Sequence, residues 1–183
     1  MKKYLITSPD FYSNSKERFQ STLFNQLQKH SADFALFRDK ESENYEELAK
    51  EFIKVCREFD GLKAYLHSNI LLAKELGADG VHLTSTQFDE IERARSLGLE
   101  VVVSTHTFEE ALKAQTLGAN YVTYSPIFAS PNKGEPKGVE SLKELLEKCS
   151  VKVFALGGIV TREHIDSIAK AKPFGFASIR YFY

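Results

Sequence analysis

Eight short apolar segments, alternating with stretches of helical spacing, constrain the fold of this chain most strongly. We predict strands at Tyr4–Thr7, Phe34–Phe37, Leu62–Leu66, Val81–Leu83, Val101–Ser104, Tyr121–Tyr124, Val151–Leu156 and Gly175–Ile179. We predict helices at Glu17–Lys29, Tyr45–Phe59, Asn69–Leu76, Gln87–Leu97, Thr107–Leu117, Val139–Lys148 and Thr161–Ala169. The strands are apolar on both faces, as a buried parallel sheet requires.

This alternation predicts an α/β fold, a (β/α)8 TIM barrel. An open flavodoxin-like sheet, which needs about five strands, is the second choice. A weak internal repeat supports the barrel, because Glu75–Leu83 and Thr116–Tyr124 both pass from a helix end through a glycine into a strand. The sequence is shorter than the roughly 200 residues usual for such barrels and stops just after the eighth strand. We therefore expect one domain, residues 1–183, whose eighth helix is missing or vestigial.

The charge balance favours a small ligand over a macromolecule. The chain has 24 basic and 25 acidic residues, so we expect neither a nucleic-acid groove nor a membrane-binding patch. Cys56 and Cys149 lie in helical stretches without metal-ligand spacing, which predicts free thiols in a reducing compartment. No apolar run approaches the roughly 18 residues of a membrane span, and we expect no targeting leader. These features predict a cytoplasmic protein.

Barrel sites lie at the carboxyl ends of the strands, so the residues after each apolar segment are the candidates. They are Arg38, Asp39, Lys40, His67, Ser68, His82, Thr84, Ser104, His106, Ser125 with its loop to Gly138, Gly157, Gly158 and Arg180. An anionic ligand is predicted, because four cations would share this face: Arg38, Lys40, Lys133 and Arg180. Asp39 is the one carboxylate there and is flanked by cations, so the residues alone predict a phosphate site without a metal.

Two loops each allow two interpretations, one functional and one structural. Gly118–Gly138 changes from an apolar strand to a polar loop carrying Lys133, typical of a binding loop but also of a plain surface loop. Gly157 and Gly158 precede a helix that starts near Thr161, so their N–H groups could hold a phosphate. The same pair could simply form a tight turn.

The five histidines differ in their position relative to the predicted strands. His67 and His106 follow strands three and five, where an imidazole can act as donor or acid/base. His82, between Val81 and Leu83, could be functional or merely packed inside the barrel. His30 and His164 are expected on the surface.

Five segments together resemble the thiamine phosphate synthase family and its sister group, the TenI-like thiazole tautomerases. They are Leu36–Lys40, Gly77–Leu83, Val102–Ala114, Gly118–Gly134 and Phe154–Ile159. The resemblance implies a (β/α)8 barrel, usually a homo-oligomer, acting on hydroxymethylpyrimidine diphosphate and thiazole phosphate with Mg²⁺ assisting diphosphate departure. Arg38 and Lys40 match the diphosphate-binding pair, and Ser104 matches the serine after strand five. Lys133 matches the loop lysine, Ser130 and Asn132 the loop hydroxyl positions, and Gly157 and Gly158 the thiazole-phosphate site.

Departures from the family pattern concern mainly the metal. Leu36 stands where the synthases have glutamine, and His67 and Ser68 stand where they have Asn-Asp. The second expected Mg²⁺ ligand falls on Gln87, or on Asp89 with a two-residue shift. Arg180 replaces a phosphate-binding serine, and Pro126 replaces the loop histidine of the tautomerases.

Three hypotheses follow from these matches and departures. The first is a divergent family member that binds thiazole phosphate and needs Mg²⁺ only if synthase activity is retained. The second is a thiazole tautomerase that uses His67 or His106, and the third is a non-catalytic binding or regulatory relative. A homo-oligomer is expected, because the aromatic residues 181–183 and the barrel near strands one and eight would otherwise lack cover.

Overall fold

A computed structural model describes residues 1–39, 42–131 and 133–183 of the chain. Within it, eight parallel strands close into a barrel in the order of the sequence, and β1 pairs with β8. The strands are Lys2–Ile6 (β1), Phe34–Phe37 (β2), Lys63–His67 (β3), Gly80–Leu83 (β4), Glu100–Thr105 (β5), Tyr121–Tyr124 (β6), Lys152–Leu156 (β7) and Gly175–Ser178 (β8). The predicted TIM barrel is confirmed.

In the described ranges, seven α-helices pack around the barrel. They are Lys16–His30 (α1), Tyr45–Cys56 (α2), Ile70–Glu75 (α3), Ile91–Ser96 (α4), Phe108–Thr116 (α5), Gly138–Lys148 (α6) and Arg162–Ala169 (α7). The side chains of Asn69, Thr107 and Thr161 accept N–H bonds at the starts of α3, α5 and α7, as N-caps do. The prediction of one helix over Gln87–Leu97 was wrong, because a 3₁₀ turn, Phe88–Glu90, precedes the shorter α4.

Two apolar cores hold the fold together. One fills the barrel and consists largely of aromatic rings, including Tyr4, Phe34, Tyr65 and Phe154. The other lies between the strands and the surrounding helices. Alternate strand residues face these two cores, so polar residues that continue the inward-facing series beyond each strand end face the mouth of the barrel.

A short 3₁₀ helix, Arg180–Phe182, stands where an eighth helix would follow β8. Phe182 is fully buried and stacks on Phe176, with ring centroids 5.7 Å apart. Tyr183 packs on Phe11 at 4.6 Å. Phe182 is thus covered by its own chain, whereas Tyr183 remains 53% exposed, which weakens but does not remove one reason for expecting an oligomer. The oligomer itself stays a prediction. No helix in the described ranges has the length and apolarity needed to cross a membrane.

Candidate functional site

Two adjoining cavities open at the carboxyl ends of the strands. The first, of about 310 Å³, is lined by residues from six of the strands, by Ile179 directly after β8, and by residues of the β6–α6 loop, described over 125–131 and 133–137. The second, of about 430 Å³, lies toward β1, β7 and β8. Arg38, Ser130, Lys133 and Gly157 line both, so the two form one cleft. Among the described residues that line the first cavity there is no aspartate or glutamate.

A buried hydrogen-bonded chain forms the floor of the first cavity. Tyr4 Oη lies 3.0 Å from His82 Nδ1, and His82 Nε2 lies 3.0 Å from Ser104 Oγ. His82 is 2% exposed, and burial, with smaller contributions from His67 and Arg38, lowers its pKa to about 3. The His82 ring is therefore neutral near pH 7 and has both nitrogens satisfied. Sequence reasoning had left open whether His82 is functional or packed, and did not single out Tyr4.

Two further imidazoles lie at the rim of the first cavity. His67 ends β3, beside His82 in the sheet register, and its Nδ1 lies 3.2 Å from Ser68 Oγ. His106 follows β5, and its Nδ1 lies 3.4 Å from Ser125 Oγ. The His106 backbone N–H donates to Glu110 in the first turn of α5, which ties this strand end to the helix that follows. Both rings are half-buried, so they can meet a ligand.

The turn after β7 is shaped by the β6–α6 loop. Gly157 and Gly158 have φ of +98° and +69°. A Cβ on Gly158 would lie 2.5 Å from the carbonyl oxygen of Ala129, and one on Gly157 would lie 2.6 Å from Pro126 Cα. Ile127 and Phe128 donate their N–H groups to Leu156 and Gly157, at 2.9 and 3.0 Å. Both glycines are therefore required by the close approach of the loop backbone.

The second cavity gathers the groups suited to an anion. Arg38, Lys133 and Arg180 line it, and the Arg38 backbone is held by the Thr7 hydroxyl at 3.0 Å. Within the described part of the chain, the backbone N–H groups of Gly158 and Arg180 donate to no protein acceptor. Free N–H groups and guanidinium ions are the usual partners of a phosphate. Lys40 and Asn132, also predicted here, lie outside the described residues.

Three polar residues of this cavity were missed by sequence reasoning. Ser178, at the end of β8, is buried and donates to the Ile159 carbonyl at 2.7 Å. The resemblance had assigned the position of the phosphate-binding serine to Arg180, two residues later. Ser8 and Asp10 follow β1 and bond to each other at 3.2 Å. Their position just beyond a predicted strand was the available signal.

The residues that occupy the expected metal positions do not suit Mg²⁺. Those positions carry His67, Ser68 and Gln87, whereas Mg²⁺ prefers carboxylate and phosphate oxygens. Gln87 Oε1 already accepts from the N–H and hydroxyl of Thr84, at 3.0 and 3.1 Å. Asp89 is exposed on the 3₁₀ turn. Nowhere in the described ranges do three or more His, Cys, Asp or Glu side chains form a group that could hold a metal ion.

Comparisons with known proteins agree with this architecture. The family model described as thiamine monophosphate synthase matches residues 3–182. A protein of Aquifex aeolicus (strain VF5), provisionally named thiamine-phosphate synthase 2, is 33% identical over 184 residues, which cover 98% of this chain and 96% of that protein. The thiamine-phosphate synthase of Synechocystis sp. is 30% identical over 97% of this chain, which spans about half of it, 51%. The solved thiamine phosphate pyrophosphorylase of Pyrococcus furiosus superposes with a TM-score of 0.83 at 25% identity, covering 97% of this chain and 85% of that one.

Proposed function

We propose that this chain, which belongs to the thiamine monophosphate synthase family, binds thiazole phosphate or a closely related phosphorylated heterocycle without a metal ion. The observation that carries the proposal is a difference between the two ends of the cleft: Arg180 lines only the second cavity, Arg38 and Lys133 lie where the two cavities join, and the first cavity adds hydroxyl and imidazole groups. The second cavity offers Arg38, Lys133 and Arg180. The first offers hydroxyl and imidazole groups above the neutral His82.

The phosphate belongs in the second cavity. A phosphate dianion there would meet the three cations and the free N–H groups of Gly158 and Arg180. Charge-assisted bonds of this kind are roughly twice as strong as neutral ones. Asp10 lies on the same side, but it is exposed at the rim and hydrogen-bonded to Ser8, so it opposes the anion weakly.

The heterocyclic ring belongs in the first cavity. Its walls combine the apolar side chains of Ile6, Leu36 and Leu156 with the hydroxyls of Ser104 and Ser125. Apolar walls with a few placed polar groups are typical of sites for small ring compounds. The cavity volume of about 310 Å³ is at the lower end of the range for such sites.

Synthase chemistry is not part of the primary proposal. Departure of a diphosphate needs its charge to be neutralised, and the expected metal positions carry no carboxylate. Loss of a metal ion at a leaving group removes several kcal/mol of transition-state stabilisation. We therefore propose a family member that retains anion binding and has lost metal-assisted ionisation of the pyrimidine diphosphate.

A calorimetric titration with thiazole phosphate tests the proposal, with and without Mg²⁺ and diphosphate. We expect binding that does not depend on Mg²⁺, and only background diphosphate release from hydroxymethylpyrimidine diphosphate. Binding that appears only with Mg²⁺, or Mg²⁺-dependent release of diphosphate, would contradict it and restore the synthase interpretation.

The second candidate function is a thiazole tautomerase, favoured by the two imidazoles at the rim of the first cavity. His67 and His106 each lie within hydrogen-bond reach of a serine hydroxyl, so either could pass a proton to a bound ring. This function predicts faster aromatisation of the thiazole carboxylate phosphate, abolished by His67→Ala or His106→Ala. His30→Gln is the matched control, because that ring packs on Phe182 outside both cavities. Tight binding without turnover in every arm would instead favour a non-catalytic relative.

A further inference from the structure

The floor of the first cavity admits only one complete assignment of hydrogen-bond donors and acceptors. Tyr4 is fully buried, and His82 is the one partner of its hydroxyl among the described residues. If His82 carried its proton on Nδ1, it would donate to Tyr4 Oη, and the Tyr4 hydroxyl proton would have no acceptor. A buried donor without an acceptor is costly, whereas the opposite tautomer leaves none.

In that opposite tautomer Tyr4 donates to Nδ1, and His82 donates from Nε2 to Ser104 Oγ, each across 3.0 Å. The doubly protonated ring is excluded at neutral pH, because burial lowers the pKa of His82 to about 3. The direction of both hydrogen bonds is therefore fixed by the burial of Tyr4.

This hydrogen-bond pattern determines where the Ser104 hydroxyl can donate. A serine hydroxyl has one proton, and here its oxygen already accepts from His82. The side-chain hydroxyl of Thr123, the register neighbour of Ser104 on β6, has no hydrogen-bond partner among the described residues, so it does not accept that proton. Ser104 lines the first cavity and is half-exposed, which leaves the cavity as the direction for its O–H.

We propose that Tyr4 and His82 are positioning residues that fix Ser104 as a hydrogen-bond donor toward an acceptor atom of the ligand. The acceptor is a ring nitrogen without a proton or an anionic oxygen, and a ligand that presents an N–H or O–H at this point is bound more weakly, because it leaves the Ser104 proton without an acceptor. The tautomer part of this inference stands without the proposed function, whereas the ligand part rests on it.

Nitrogen-15 NMR of histidine-labelled, ligand-free protein tests the tautomer directly. We expect one neutral histidine with its proton on Nε2 and an accepting Nδ1, identified by its loss in His82→Gln. Tyr4→Phe should shift the Nδ1 resonance of His82 while the proton stays on Nε2, because Nδ1 then loses its donor and an Nδ1–H would have no acceptor. Tyr12→Phe, which removes another buried hydroxyl, should leave the His82 signals unchanged. A wild-type His82 that is protonated on Nδ1, or on both nitrogens at pH 7, would overturn the inference.

Affinity for thiazole phosphate tests the effect on Ser104. We expect Ser104→Ala and His82→Leu each to weaken binding about tenfold, and the double variant to weaken it no further, as for groups acting through one bond. His82→Gln can still donate to Ser104 and should stay within about threefold of wild type. If His82→Leu weakened thiazole phosphate binding by the same factor in the wild-type and Ser104→Ala proteins, a role of His82 through the Ser104 hydroxyl would be refuted. If His82→Leu fails to fold, His82→Phe, which also lacks a donor to Ser104, replaces it. If wild type does not bind thiazole phosphate, the proposed function fails and the tautomer measurement alone decides this inference.

Discussion

Replacing Gly158 by alanine should separate the two interpretations of the turn after β7. The glycine has φ of +69° and faces the backbone of the β6–α6 loop. An added methyl group would lie 2.5 Å from Ala129 O and 2.6 Å from Phe128 O. These neighbours are backbone atoms, so the clash can be relieved only by moving the loop. That loop carries Ser130 and Lys133, so its displacement should reach the proposed anion site in the second cavity.

The expected loss of stability in Gly158→Ala is the sum of two contributions. A non-glycine residue in the left-handed region costs about 1–2 kcal/mol. Overpacking against backbone adds about 1–3 kcal/mol. Gly61 provides the matched control, because it has φ of +78° and nothing within 4 Å of a built Cβ. Gly61→Ala bears only the first cost. Gly158→Ala should therefore be about 1–3 kcal/mol less stable than Gly61→Ala, which for a chain of this size lowers the melting temperature by about 3–10 °C.

Thermal unfolding and calorimetry with thiazole phosphate should be measured on both variants. We expect Gly61→Ala to bind as wild type and Gly158→Ala to bind about tenfold more weakly, a loss of about 1.4 kcal/mol. If Gly158→Ala matched Gly61→Ala in both stability and affinity, the close approach between the turn and the loop would be refuted. A loss of stability with unchanged affinity would refute the link to the anion site.

Three further predictions follow. Lys133→Ala should weaken thiazole phosphate binding about tenfold in a titration, with unchanged melting temperature, because its side chain is exposed; Lys50→Ala on α2 should change neither. Folding lowers the pKa of His82 to about 3 from an ordinary 6.5. Between these pH values the unfolded chain binds a proton on His82 that the folded chain does not. The free energy of unfolding should therefore decrease as pH falls from about 6.5 toward 3, by up to ~4 kcal/mol. Urea unfolding against pH should show that slope reduced in His82→Gln. Light scattering should show a homo-oligomer, and a monomer at all concentrations would end that expectation.

The order of strands and helices was predictable because apolar runs and caps are local signals. The strands β2 and β6 have the predicted bounds, and Asn69 and Thr107 cap the helices assigned to them. The division of Gln87–Leu97 was not predictable, because Gln87 turns its amide toward Thr84 in the preceding loop. That contact depends on the path of the backbone rather than on helical spacing.

Parts of the candidate site were hidden for the same reason. Tyr4 and His82 are 78 residues apart, and nothing in either local sequence shows that their side chains meet in the barrel. Gly158 is a similar case. Its sequence context predicted either a tight turn or a phosphate contact, whereas the structure shows that the carbonyl groups of Phe128 and Ala129 leave no room for a side chain there. Strand-end position identifies candidates, but only the closed barrel shows which of them face one another.

The two ends of the cleft differ in how tightly the fold holds them. Ser104 belongs to β5, and His82 belongs to the neighbouring β4, so their geometry is fixed by the sheet and the barrel core. Lys133 is exposed in the β6–α6 loop, and Arg180 is exposed at the start of the 3₁₀ helix that follows β8. A substitution on the floor should therefore change ligand selection and stability together, whereas one in the loops should change affinity with little effect on unfolding. Under the proposed function, selectivity for the ring would therefore depend on the rigid part of the cleft, and the strength of anion binding on the part that can vary with little effect on stability.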